Sequence, residues 1–273
     1  MTTRPEWKDE AIACGCKEPL ATRVYTPAGD RAGSGAVVLH LHGGCFVGGG
    51  LQRGARVASL LASAGATVVS LDYPLAPSHP FPQAIEAVHS MLGWAERHRR
   101  RLGGAGARLF IAGEEAGGNL AAAAALMARD RREPALAGQV LLSPMLDVCI
   151  STASWRDVKA GEHDCPWADG WRKYLPRASD ALHPYATPGS SMRLDGLPPT
   201  LLVTAHDDPL RDETGSFARR LRAAGVPVDE VELALPTGWP KSYAQPADSP
   251  AAWAEALRPR LRQFLVEHSQ ATA

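Results

Sequence analysis

Ala107-Arg108-Leu109-Phe110-Ile111-Ala112-Gly113-Glu114-Glu115-Ala116-Gly117-Gly118-Asn119-Leu120 is the stretch that decides the fold. An apolar run of strand length enters a turn with Gly113 and Gly117 at its two shoulders. An Ala-rich run, Asn119 to Arg131, leaves it with helical composition. Strand, Gly-x-x-x-Gly turn and helix make up the nucleophile-elbow arrangement, which holds a reactive side chain at the top of a sheet. The turn is sharp, so the residues two before and two after its centre need to be small. The centre ordinarily carries Ser. Here it carries Glu115.

Outward from this point, strand-like and helix-like segments alternate. Val37 to His42, Ala66 to Tyr73, Gln139 to Ser143, Leu201 to Ala205 and Val228 to Leu233 have strand length and composition. Ala55 to Ala64, Thr214 to Ala224 and Ala251 to about Glu267 read as helices. After Pro82, which suits a first helical turn, Ile85, Val88, Leu92 and Ala95 keep helical spacing. Apolar strands separated by helices predict an α/β fold: a mostly parallel central sheet covered by helices on both faces. Ligands of such sheets sit at the carboxyl ends of the strands. Glu115, Asp208, Thr237 and the loop His42-Gly43-Gly44 all fall at such ends. The 273 residues are read as one domain, 1–273.

Composition narrows the partners. The chain carries 29 basic and 29 acidic residues, a formal net charge of +0, which argues against nucleic acid or an anionic membrane. Neither a signal-peptide core nor an apolar stretch of membrane-span length is legible, so a soluble cytoplasmic chain is expected. Five cysteines leave one unpaired in any disulfide scheme. Cys14-Gly15-Cys16 is too sparse for a zinc site, so no metal and no cofactor are expected.

Four blocks, in order, now carry a resemblance. They are His40-Leu41-His42-Gly43-Gly44-Cys45-Phe46; Asp72-Tyr73-Pro74-Leu75-Ala76-Pro77-Ser78-His79-Pro80-Phe81-Pro82; Gly113 to Leu120; and Gly196-Leu197-Pro198-Pro199-Thr200 with Asp208-Pro209-Leu210-Arg211-Asp212-Glu213. Together they resemble the hormonesensitive-lipase branch of the α/β-hydrolase fold, whose members are mostly carboxylesterases. The resemblance runs from about Val37 to the last helix. It implies an oxyanion hole from the backbone N–H groups of Gly43, Gly44 and Ala116, with Asp208 as the acidic triad member. It implies lid material at about 147–194 and a short cap at about 1–20, and it allows a homodimer through the last strand and helix. The pocket should be lined by Cys45, Phe46, His206 and Trp239, with a small molecule as partner.

Two of the three triad positions depart from the family pattern. Glu115 replaces the nucleophilic Ser, and Gly238-Trp239 reads as the family's Gly-Phe, which puts Thr237 where its His belongs. No His occurs between His206 and His268. Ester hydrolysis needs a nucleophile, a base, an acid to orient the base, and an oxyanion hole. Loss of the nucleophile or base costs about a million-fold in a serine protease. Three readings stay open. In one, Glu115 folds into the oxyanion hole, the protein is silent towards esters, and the old site binds a small apolar or carbonyl-containing ligand. The plant gibberellin receptors, which resemble these hydrolases and lack the His, set the pattern. In the second, Glu115 is a general base or carboxylate nucleophile beside an intact hole. In the third, the catalytic groups are relocated, with His206, two residues before Asp208, as base and Cys45 or a water as nucleophile.

Overall fold

The computed structural model describes residues 5–27, 35–149, 152–159 and 165–270. Eight strands form one sheet: β1 (Glu6–Ile12), β2 (Leu20–Thr26), β3 (Ala36–Leu41), β4 (Thr67–Leu71), β5 (Arg108–Glu114), β6 (Gly138–Leu142), β7 (Thr200–Ala205) and β8 (Val228–Leu233). Their spatial order is β1-β2-β4-β3-β5-β6-β7-β8. The pairings β1–β2 and β2–β4 are antiparallel and the rest parallel. This is the mostly parallel α/β sheet expected from the apolar runs.

The helices are α1 (Ala55–Ser63), α2 (Gln83–Gly103), α3 (Ala116–Arg131), α4 (Ala153–Lys159), α5 (Pro166–Tyr174), α6 (Arg211–Ala223) and α7 (Ala252–Gln270). Strand alternation divides the core into two layers. Val37, Leu39, Leu41, Leu109 and Ile111 pack with residues of α2, α3 and α6. Val38, Val68, Phe110, Val140 and Val203 pack with residues of α1 and α7. Each fully buried Val, Leu or Ile contributes about 1.5–3 kcal/mol, so the sheet is a rigid floor beneath its carboxyl-end loops.

Residues 6–12, expected within a lid element at 1–20, form the edge strand β1 instead. Lys8, Asp9 and Glu10 give it no apolar alternation, because an edge strand is exposed and charges there discourage further pairing. Arg23 of β2 holds it in place, ion-paired to Asp9 at 2.7 Å and stacked on Trp7 at 3.8 Å. The segment from 147 to 194 supplies α4, α5 and two 3-10 turns, Ala178–Leu182 and Pro188–Ser190. Phe46 stacks on Tyr174 of α5 at 4.1 Å, which fixes α5 against the loop after β3.

Candidate active site

Glu115 sits between β5 and α3 with φ 54° and ψ −116°. Non-glycine residues avoid this region, and holding one there costs roughly 1–3 kcal/mol. The surroundings over-determine it. The Glu115 N–H donates to Leu142 O at 3.0 Å, and its carbonyl accepts from Asn119 N–H at 3.1 Å and Met145 N–H at 3.0 Å. A Cβ at Gly117 would fall on the carbonyl oxygen of Leu41, and one at Gly113 on that of Gly117. The two shoulder glycines are therefore obligatory, as the spacing implied.

The side chain turns back over the loop that follows β3. Glu115 Oε2 accepts the Gly44 N–H at 2.5 Å. Its Oε1 accepts the Cys45 thiol at 3.1 Å and the indole N–H of Trp167 at 2.7 Å. Three donors and no protein acceptor is the pattern of a carboxylate. The neighbouring Glu114 is fully buried. It accepts the Gly43 N–H at 3.1 Å and bonds His40 Nε2 at 2.8 Å, while His40 Nδ1 meets Ser70 Oγ at 2.9 Å. Ser70, His40 and Glu114 share one face of β4, β3 and β5, and strand parity alone brings them together. Two N–H groups expected to converge on an open hole are thus already bound by the chain's own carboxylates. Burial pushes the Cys45 thiol well above its usual range, and the Glu115 charge beside it pushes further in the same direction. That opposes thiolate formation.

Asp208 and Thr237 are not partners. Thr237 is held by Asp207: its N–H and hydroxyl donate to that carboxylate at 2.8 and 2.9 Å, and Gly238 N–H adds a third bond at 2.9 Å. Burial alone would raise the Asp207 pKa, but the N–H donors of Gly238 and Thr237 outweigh it and the net direction is downward. Asp208 accepts from Ser143 Oγ at 2.7 Å and Leu210 N–H at 2.9 Å through Oδ1. Its Oδ2 is buried and without a hydrogen-bond partner among the described residues. Burial raises its pKa to about 6, against the smaller opposing effects of Ser143 and Leu210. The buried Tyr243 hydroxyl is directed towards Ser143, and burial, then the Asp208 charge, raises its pKa.

A cavity of about 180 Å³ opens above Glu115. Gly43, Gly44, Cys45, Glu114 and Glu115 border it on the sheet side. Trp167, Tyr243, Pro166 and Pro240 also border it, as do the exposed side chains of Arg53 and Lys241. Of the four residues expected to line the pocket, Cys45 alone does so. Phe46 is consumed by its stack with Tyr174, and Trp239 packs against Tyr243 and Trp253. The His206 side chain is 80% exposed, 3.9 Å from Glu232, so it does not share a side with Asp208. Two residues along from Asp208 is no longer strand, and the alternation argument fails there. Asp208, Thr237 and Ala116 are buried away from the cavity. A wider groove of about 860 Å³, bordered by Cys165, Asp169, Trp171 and Arg172, touches none of the candidate residues.

Sequence reasoning missed Trp167, Tyr243, Arg53, Lys241 and Asp207. Glu114 was missed as well, although its place beside Glu115 and its shared strand parity with His40 are signals that could have found it. Among the described residues no cluster of three or more His, Cys, Asp or Glu side chains is arranged to hold a metal ion, and no helix is long and apolar enough to cross a membrane.

The elbow, the β3 loop and the sheet order together define a protein class, and comparison with known proteins agrees. Residues 38–234 match the family model described as the alpha/beta hydrolase fold. The esterase LipI of Mycobacterium tuberculosis is 37% identical over 218 residues, 77% of this chain and 68% of that one. An arylesterase of Saccharolobus solfataricus is 33% identical over 212 residues, 76% of this chain and 68% of its own. Among solved structures, a thermostable esterase from Pseudomonas putida superposes with a TM-score of 0.84 at 30% identity, covering 100% of this chain and 86% of that one. A hyperthermophilic esterase of Pyrobaculum calidifontis gives 0.79 at 35%, covering 97% and 85%. The chain belongs to the α/β-hydrolase fold family and is esterase/lipase-like.

Proposed function

We propose that this protein is a ligand-binding member of its esterase-like family, silent towards esters, with a small molecule held in the cavity above Glu115. One observation carries the reading: the Glu115 carboxylate accepts the Gly44 N–H at 2.5 Å. In an acyl-transfer enzyme that donor is reserved for an oxyanion formed during the reaction. A permanent carboxylate there mimics the oxyanion and denies the donor to a substrate. Charge-assisted bonds of this type are worth about 1.5–3 kcal/mol each, so a neutral ester carbonyl is a poor competitor.

The base is missing for the same reason that the nucleophile is. Asp208 is engaged with Ser143, Thr237 with Asp207, and no imidazole borders the cavity. A carboxylate base or nucleophile beside an open hole is less coherent with this geometry, because three donors are spent on the carboxylate it would use. The test is turnover of p-nitrophenyl acetate and butyrate together with labelling by a fluorophosphonate. No rate above the uncatalysed one and no label are expected, both for the native chain and for Glu115→Ser alone. Saturable hydrolysis that vanishes in Glu115→Gln would overturn the reading in favour of carboxylate chemistry.

A further inference from the structure

The turn between β1 and β2 holds the motif Cys14-Gly15-Cys16, which the site above Glu115 leaves unused. The β1–β2 ladder runs up to the pair Ile12 and Leu20, so residues 13–19 form a turn on a fixed base. Gly15 has a φ of +95°, a conformation that residues with a side chain rarely adopt, and the chain bends around it. The bend brings the two sulfur atoms to 3.2 Å, with a thiol hydrogen bond between them. Both cysteines are free. Residues two apart lie at most about 7 Å apart at Cα, and a disulfide accepts Cα separations of about 4.4–6.8 Å. Going from 3.2 Å to a bond of about 2.05 Å brings the sulfurs closer by about 1 Å, within the reach of side-chain rotation.

The two thiols differ in access. Cys14 is buried, 6% exposed, in the core layer that also holds Ile12 and residues of α2. Cys16 is half-buried and packs on the edge of that layer, beside the Ser90 hydroxyl of α2. Cys16 is thus the thiol that a soluble reagent reaches first, and Cys14 stands behind it. A structural metal site asks for more ligands than two. Among the described residues no third His, Cys, Asp or Glu side chain joins the pair to hold an ion. Two thiols in contact without a third ligand suit two-electron oxidation instead. Burial, and then the neighbouring Cys14, push the Cys16 thiol above its usual range. Exchange at neutral pH therefore runs through a small thiolate fraction and is slow.

We propose that Cys14 and Cys16 form a dithiol modification site, oxidised by small soluble disulfides to an internal disulfide that closes the β1–β2 turn. The Cys16 thiol loses its proton to solvent, and its thiolate attacks one sulfur of the reagent. A mixed disulfide forms and one reagent thiolate leaves. The Cys14 thiol then loses its proton, and its thiolate attacks Cys16 Sγ. The bond between Cys14 and Cys16 forms, the mixed bond breaks, and the second reagent thiolate leaves. Two electrons pass from the pair to the reagent, which ends as two thiols. The site is independent of the ligand pocket above Glu115. The experiment equilibrates the full chain, carrying Cys149→Ser to remove an exposed thiol, with glutathione and glutathione disulfide at pH 8.5, both folded and in urea. Acid quenching, alkylation and mass spectrometry then count the products. The folded chain should lose two alkylatable thiols together, and about 2 Da, with Cys14 and Cys16 joined. Its equilibrium constant for ring closure should exceed that in urea by about tenfold or more, because the folded turn holds the sulfurs together. Cys14→Ser should stop at a stable glutathione adduct on Cys16. A stable adduct on Cys16 in the parent chain with Cys14 still free would overturn the proposal, as would an equilibrium constant no larger than that in urea. So would a Cys14→Ser chain that takes up no adduct, since Cys16 would then not be the point of entry.

Discussion

Replacing Asp208 by Asn should stabilise the protein, and more so as the pH rises. The ordinary Asp pKa of 3.8 is raised to about 6 at this position, chiefly by burial. A raised carboxyl pKa means that the folded state holds the proton more tightly than the unfolded one. The stability tied to this group is then fully present below pH ~4 and is lost as the pH climbs through about 6. A displacement of about two pKa units is worth about 3 kcal/mol in full at 1.36 kcal/mol per unit, an order-of-magnitude figure. Asn resembles the neutral form. Its oxygen can still accept from Ser143 and Leu210, and its amide replaces the oxygen that has no partner. Paired urea titrations of the two proteins, followed by tryptophan fluorescence, should show the advantage of Asp208→Asn widening by about 2 kcal/mol between pH 4 and pH 7.5. Glu213 is also raised by burial and senses the Asp208 charge, so the comparison is repeated in a Glu213→Gln background. A gap that stays constant or narrows on going up in pH would refute the argument, because the ionised form would then have a stabilising partner in the fold.

Two further outcomes follow from the elbow. Glu115→Gln presents an NH₂ group where donors already converge, from Gly44 on one side or Cys45 and Trp167 on the other. It should cost about 1–3 kcal/mol in chemical denaturation. Gly117→Ala drives a methyl group into the Leu41 carbonyl and should lower stability by about 3 kcal/mol or prevent accumulation of folded protein, as read by thermal unfolding.

The central sheet was legible because its strands are apolar on both faces and its helices keep a 3.6-residue period. β1 was not, since its residues obey neither pattern: Trp7 and Ile12 are separated by charges that face water. At the site, the glycines around Glu115 and those of the β3 loop spoke for themselves, because close backbone approach leaves few alternatives. Asp207 and Asp208 show the opposite case. They are adjacent in a turn, and nothing in the sequence says which of them reaches the loop after β8. Trp167 falls within the segment expected to be lid, but its hydrogen bond to Glu115 depends on how α5 docks, which is set by Phe46, Trp171 and Tyr174 together. Arg53, Lys241 and Tyr243 converge from loops far apart in the chain, and no local period encodes that meeting.

The elbow holds its strained backbone with a Glu side chain at its tip. The dihedral angles are secured by Gly113, Gly117 and the bonds to Leu142, Asn119 and Met145, none of which involves the Glu115 side chain. The turn therefore acts as an interchangeable mount: it carries whichever residue is encoded to the same point above the sheet. On such a mount, chemistry and architecture are inherited separately. A change at one position can retire a reaction or install a recognition group without the rest of the molecule having to be reinvented.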